Sequence, residues 1–201
     1  MANEFTCGRL GLLIGLPVPP GSVATTGDDE KLAYVSLRFG PKGASPPPFD
    51  PEEFVEDSPS IAAGVIAFDC WIANPDRHQH NLAHVRGEPK IPVTVFDHSH
   101  ALFGVQAGAA VQRLREMVCR PSVSRILREH ITSNTEFGYW ADRIRAGCNE
   151  LVRDICRTAM HAEGITEEEC TGAAEFLVHR NEHILEMIRA SKERMANIKQ
   201  W

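Results

Sequence analysis

Residues 58–73 constrain the fold more than any other stretch of the sequence. Ser58-Pro59 places an N-cap residue before a proline at the first helical position. From Ile61 to Ala73 the chain then carries apolar residues on nearly every helical face, with Asp69 its one charged side chain. A helix that is apolar all round has to be buried. This one falls far short of the roughly 20 residues that a bilayer span needs, so it must be buried in protein. The fold is therefore expected to form around a central helix, and 201 residues with 43% hydrophobic content can supply that core as one domain.

The flanking segments supply smaller elements. Residues 3–15 carry Phe5, Leu10, Leu12, Leu13 and Ile14 ahead of a stop signal at Gly15, which predicts a helix. Gly8, Gly11 and Gly15 weaken it by up to about 1 kcal/mol each unless they serve close packing. Leu16-Pro17-Val18-Pro19-Pro20 must be extended, and residues 32–39 alternate as a strand does. Residues 40–51 hold five prolines and two glycines, and 40–57 is expected to be an irregular linker. Asn81 to Val85 and Ile91 to Phe96, around a turn at Arg86-Gly87-Glu88-Pro89, predict a small hairpin. Helices are expected over 108–118, 121–131, 135–161, 166–179 and 181–198, the fourth opened by a capping box of Thr166 and Glu169. The fold class is α+β, mainly α, divided into 1–39, a linker over 40–57, a core over 58–104 and a helical subdomain over 105–201.

A net charge of -6 argues against a general nucleic-acid binder. Six scattered cysteines without a C-x-x-C pair read as reduced thiols, which places the chain in the cytoplasm. Leu10 to Val18 is apolar, but it follows Glu4 rather than a positive leader and runs into prolines, so it is not a signal-peptide core. No segment is expected to span a membrane.

The chemistry concentrates in Asn74-Pro75-Asp76-Arg77-His78-Gln79-His80-Asn81 and in Phe96-Asp97-His98-Ser99-His100. Phosphoryl transfer asks little of a protein: one carboxylate to orient the nucleophile's proton, and oxygen ligands that hold Mg²⁺ against the nucleotide phosphates. Asp76 and Asn81 sit five positions apart in one loop, a hairpin follows, and Asp97 lies at its far end. Residue types satisfy that requirement, and their order and intervening elements resemble the arrangement in protein kinases, where a catalytic carboxylate and an Asn ligand lie five positions apart and a metal Asp follows a short hairpin.

Asp76-Arg77-His78-x-x-Asn81 followed by Phe96-Asp97 resembles the catalytic and metal loops of HipA-like kinases and phosphoinositide-kinase-like enzymes. Asn3-Glu4 through Pro19 and Ala174 to Arg180 also resemble the first and closing helices of short HipA-like proteins. The resemblance implies a protein-kinase-like C-terminal lobe with a central helix, a small catalytic β-hairpin and a C-terminal helical bundle. It implies an ATP- and Mg²⁺-dependent phosphotransferase acting on a hydroxyl of a protein or a small polyol. Asp76 resembles the catalytic base, Asn81 and Asp97 the Mg²⁺ ligands, and Arg77 and His78 loop residues near the phosphates. Glu4 falls where the family pairs a helix Glu with a phosphate-binding Lys.

The sequence departs from that pattern in two places. Only three residues precede Glu4, so the Gly-rich strands and the clamping Lys have no room, and Lys31, Lys42, Lys90, Lys192 and Lys199 all lie downstream. His98-Ser99 replaces the Phe-Gly that follows the metal Asp. A partner chain supplying the missing lobe is one expectation; a non-catalytic pseudokinase is another. His78, His80, His98 and His100 with Asp76 and Asp97 also leave room for a metal-dependent hydrolase, although i,i+2 histidines match no defined ligand spacing. Asp76 and Asn81 alone could simply brace a turn. His84 and the helical histidines read as core or surface groups. Arg143, Arg145, Arg153 and Arg157 read as a solvated face with partners such as Asn149 and Glu150.

Overall fold

The computed structural model describes residues 1–27, 30–39, 42, 48–84, 87, 93–106, 108–162 and 164–201. Its elements run α1 (Ala2–Leu13), β1 (Gly21–Thr26), β2 (Lys31–Ser36), α2 (Pro51–Asp57), α3 (Pro59–Trp71), β3 (Leu82–Ala83) and β4 (Thr94–Val95). The helical half follows as α4 (Ala110–Met117), α5 (Arg125–Arg128), α6 (Thr135–Ala146), α7 (Asn149–Thr158) and α8 (Glu167–Ala190). The fold is α+β, mainly α.

The helix expected at the centre is α3. Every residue from Ala62 to Trp71 is buried, and α3 packs on α6 and α8. Burying side chains of the size of Ile66 or Phe68 contributes roughly 1.5–3 kcal/mol each. The indole of Trp71 donates to the Leu177 carbonyl of α8 at 3.0 Å, and that of Trp140 to the Ser60 carbonyl at 2.6 Å, so both large rings are satisfied. Gly64 makes the α3–α6 approach possible, because a Cβ there would lie 2.4 Å from the Trp140 ring. Gly11 does the same for α1, where a Cβ would lie 2.5 Å from a Val18 methyl. The helix-weakening glycine of α1 is thus a close-packing residue.

Strand β2 overlaps the strand expected over 32–39, starting one residue earlier and ending at Ser36, but its partner β1 is new. The two pair antiparallel from Gly21↔Ser36 to Thr26↔Lys31, and Gly27 adopts a left-handed φ of 70° at the turn. The second hairpin shrinks to two residues per strand, Leu82↔Val95 and Ala83↔Thr94, and most of its expected turn lies outside the described residues. The connector after α1 runs beside it, with the Val95 amide donating to the Pro17 carbonyl at 2.8 Å.

Four boundaries differ from expectation. Residues 51–57 of the expected linker form α2, because the Asp50 carboxylate accepts from the Glu52 and Glu53 amides and Pro51 sits at the first helical position. The helix expected over 121–131 contracts to α5, since Ser122 to Ser124 are buried and non-helical. The helix expected over 135–161 breaks at Gly147 and Cys148, both extended. Conversely, the two helices expected over 166–179 and 181–198 are largely one: α8 runs unbroken past Arg180, opened by the capping box of Thr166 and Glu169. Arg143 also leaves the expected solvated face. It stacks 5.6 Å from the Tyr139 ring and donates to the Ile14 carbonyl, tying α6 to α1. Arg145 and Arg157 do stay at the surface, paired with Asp142 and Asp154. No described helix is long and apolar enough to cross a membrane.

Candidate functional site

The end of α3 builds the loop that carries Asp76. Ala73 turns left-handed at φ 51°, and the Asn74 amide returns to the Asp69 carbonyl at 2.9 Å, which closes the helix. The Asn74 side chain then works in both directions. It donates to Asp69 Oδ1 at 3.0 Å and accepts the Asp76 amide at 3.1 Å, bracing the turn over Pro75.

Arg77 reaches the site from inside. Its guanidinium pairs with buried Asp69 at 2.9 Å and donates to the carbonyls of Asn81 (3.3 Å), Phe96 (2.5 Å) and Asp97 (3.3 Å). One planar fork therefore fixes the end of α3, the loop and the segment after β4 relative to one another. The sequence places Arg77 near phosphates; the structure brings it to the site but aims it into the core, where it positions the loop.

The three segments that carry Asp76, Asn81 and Asp97 adjoin. The Asn81 amide nitrogen donates to the Asp76 carbonyl at 3.1 Å, and the Asn81 carbonyl accepts the Phe96 amide at 3.1 Å. Asn81 Oδ1 is buried and has no hydrogen-bond partner among the described residues. Leaving such an oxygen unpaired costs on the order of 1–3 kcal/mol, so it marks a place where a ligand would be welcome. Asp97 adopts a left-handed φ of 54°, unusual for a residue with a side chain and characteristic of constrained functional positions. Its Oδ1 accepts from the Ser99 hydroxyl at 2.6 Å and the Ser99 amide at 3.2 Å. Partial burial pushes the Asp97 carboxyl up, but the Ser99 hydrogen bonds together with His98 and Arg77 outweigh it and hold the pKa below the usual value.

Asp76 is half-exposed. Its Oδ2 lies 3.6 Å from His100 Nε2 and 3.9 Å from His78 Nε2, so two imidazoles flank the carboxylate. His78 Nδ1 accepts the His80 amide at 3.2 Å, which assigns the proton of a neutral ring to the nitrogen facing Asp76. His98 and His100 do not share a face as strand residues would: His98 is buried and His100 is exposed.

Glu4 enters from α1. Its carboxylate accepts the His98 amide at 2.5 Å and lies 3.4 Å from His98 Nδ1, so the group expected to pair a lysine holds the segment after β4 instead. Burial pulls the His98 pKa below its ordinary value, and the Glu4 hydrogen bond opposes that. Asn3 locks the same segment from the same helical turn, donating to the Ser99 and Gly104 carbonyls and accepting the Phe103 amide at 2.8 Å.

Beside Asp97 a cavity of about 410 Å³ opens between the β1–β2 hairpin and the segment after β4, bordered by Glu4, Val18, Tyr34, Phe39 and Phe96. The Phe39 and Phe96 rings lie 4.8 Å apart at its edge. The histidines and aspartates of the loops do not gather into a transition-metal set. Among the described residues the one group of three such ligands is Glu53, Asp57 and His84, whose imidazole stands 3.5 Å from Asp57 and 4.0 Å from Glu53. Sequence reasoning missed that cluster, because its members come from α2 and from the end of β3 and no local spacing announces it.

No family model matches the chain, and no curated protein matches it. Among solved structures, the crystal structure of a Helicobacter pylori proinflammatory kinase, CtkA, is similar over 99% of this chain and 84% of that one, with a TM-score of 0.62 and 12% sequence identity. The likeness is one of fold: this chain has a kinase-like fold.

Proposed function

We propose that the chain is a HipA-like phosphotransferase lobe that uses ATP and Mg²⁺ and passes a phosphoryl group to an acceptor hydroxyl. The observation that carries the proposal is the unpartnered, buried Asn81 Oδ1 in a loop whose backbone is bonded to the segment of Asp97, a carboxylate whose pKa its neighbours lower. Both atoms are hard oxygen donors of the kind Mg²⁺ selects, and the amide nitrogen of Asn81 is already committed to Asp76. Bound Mg²⁺ would neutralise charge on the nucleotide phosphates. Asp76 takes the acceptor's proton as the acceptor oxygen bonds to the γ-phosphorus and the bond from that phosphorus to the β,γ-bridging oxygen breaks. Arg77 keeps Asp76, Asn81 and Asp97 in register and touches no phosphate. His78 holds the loop beside Asp76. The cavity against Phe39 and Phe96 suits a nucleotide base.

A phosphate-clamping cation would come from a further segment or partner chain docked on the β1–β2 hairpin, where Val35 and Leu37 are exposed. The cysteines, all free thiols, fit a reducing cytoplasmic setting.

A second reading, a binding module without transfer, is favoured by one observation: Glu4 is engaged by His98, where the resemblance expects a lysine. A thermal-shift titration with ADP and Mg²⁺, paired with a labelled-phosphate transfer assay, separates the two. The first reading expects binding that Asp97→Ala abolishes. It also expects transfer that Asp76→Asn lowers by about 10²–10⁴ while binding survives. Binding without transfer supports the module, and no nucleotide binding defeats both.

A further inference from the structure

A second opening lies on the other side of the Asp76 loop. It is a groove of about 450 Å³ between Arg77, His78, Gln79 and His80 on one wall and Arg125, Ile126, Glu129 and His130 of α5 and its C-terminal end on the other. It shares no lining residue with the cavity beside Asp97, so nucleotide and groove occupant would not compete for the same walls. It begins next to the proposed base, since His78 both lines it and stands 3.9 Å from the Asp76 carboxylate.

The groove's chemistry contrasts with the rest of the molecule. The chain carries a net charge of -6, yet Glu129 is the one carboxylate among these lining residues. Glu129 faces Arg125 Nε at 3.3 Å, which leaves the outer guanidinium nitrogens of an 83% exposed side chain directed at solvent. Gln79, His80 and His130 add N–H donors, and the His78 and His80 rings meet edge to face 5.7 Å apart. Donor-rich walls and a planar guanidinium match carboxylates. A groove with half-exposed walls suits an extended chain, whereas small-molecule sites enclose most of their ligand.

We propose that this groove is the acceptor-side subsite and takes an acidic polypeptide segment, with carboxylates adjacent to the serine or threonine presented to Asp76. The inference rests on the phosphotransferase reading for the role of Asp76, and it adds the class of acceptor: a protein, selected by acidic residues, rather than a polyol.

The test is fluorescence anisotropy on the full chain. The probes are a short labelled peptide with one serine followed by a run of aspartates, and the same peptide with asparagines in their place. The aspartate peptide is expected to bind at least about tenfold more tightly at low salt, with the advantage shrinking as ionic strength rises. Arg125→Glu should erase that advantage, and because the side chain is exposed, unchanged thermal melting would show that the fold survives. Equal binding of both peptides, or an advantage that Arg125→Glu leaves intact, overturns the proposal. ADP–Mg²⁺ binding measured on the same preparations keeps the two ideas apart. If the acidic peptide binds and the nucleotide does not, the groove stands as an acidic-peptide site while the phosphotransferase reading falls. If the nucleotide binds and the peptides are not distinguished, the reverse holds.

Discussion

Among the described residues two arginines are buried, and the regions around them are built on different terms. Arg77, in the loop region, meets a buried carboxylate, Asp69, and three carbonyls drawn from two separate segments. Arg180, in the helical region, meets carbonyls alone: those of Cys70, Met117 and Arg120, with the Phe176 ring 4.4 Å beneath it. Among the described residues no carboxylate pairs with Arg180, and its Nε has no hydrogen-bond partner. Burial without a counter-charge holds its pKa down to about 10. The difference teaches where precision is required. A loop that joins the end of a buried helix to the segment after β4 is fixed by a charged, directional fork. A helical scaffold needs only a plug that satisfies the carbonyl ends of α4 and its neighbours while apolar packing supplies the rest.

The largest expected effect follows from removing the paired cation. Arg77→Met leaves Asp69 buried and unpaired, and should destabilise the protein by about 3–5 kcal/mol in urea unfolding. Adding Asp69→Asn should recover at least about 1 kcal/mol, because the stranded charge is gone. A double variant as unstable as the single one would break the comparison at its stronger side. Arg180→Met should cost less, about 1–3 kcal/mol, since it strands carbonyls but also removes an unpaired buried charge. If Arg180→Met proved the costlier change, the helical region would be the one that depends on its charge.

Much of this architecture was legible in the sequence. An uninterrupted apolar run dictated the buried α3, and the Thr166–Glu169 pair dictated the start of α8, because both signals are local. The spacing of Asp76, Asn81 and Asp97 located the loops that the fold brings together. What escaped was set by tertiary contact or outweighed by composition. Asp50-Pro51-Glu52-Glu53 carried the same cap and proline signature as Ser58-Pro59, but a proline-rich approach masked it. Strand β1 alternates poorly and exists because β2 pairs with it. Arg180 fills a hole that only three packed helices create, so its role has no local period. Glu4 stood out through the resemblance as an acid expected to pair a lysine, yet its partner His98 lies 94 positions away.

The helical region can be probed at its most local feature. Thr166→Ala removes the capping hydroxyl that accepts the Glu169 amide and should cost about 1 kcal/mol in the same unfolding experiment. A loss that matched Arg77→Met would mean that the start of α8, rather than its buried plug, controls the region, and the contrast would need redrawing. A loss near zero would place the start of α8 among elements held by packing alone.

The faintest effect belongs to His98, where the loop region buries a titratable ring against Phe68 at 5.7 Å. Burial lowers its pKa from 6.5, with Glu4 opposing. Well above that value the ring is neutral both folded and unfolded, so it adds no pH dependence. As the pH falls below it, the unfolded chain binds a proton that folded His98 refuses, and stability is lost until the folded pKa is reached. His98→Phe keeps a ring against Phe68 and has nothing to protonate. Thermal melts between about pH 7.5 and 5 should therefore show the wild type losing more stability than the variant. Parallel losses would show that His98 is as readily charged folded as unfolded, and that Glu4 grips an imidazolium. The segment after β4 would then be held as Arg77 holds its loop, by paired opposite charges.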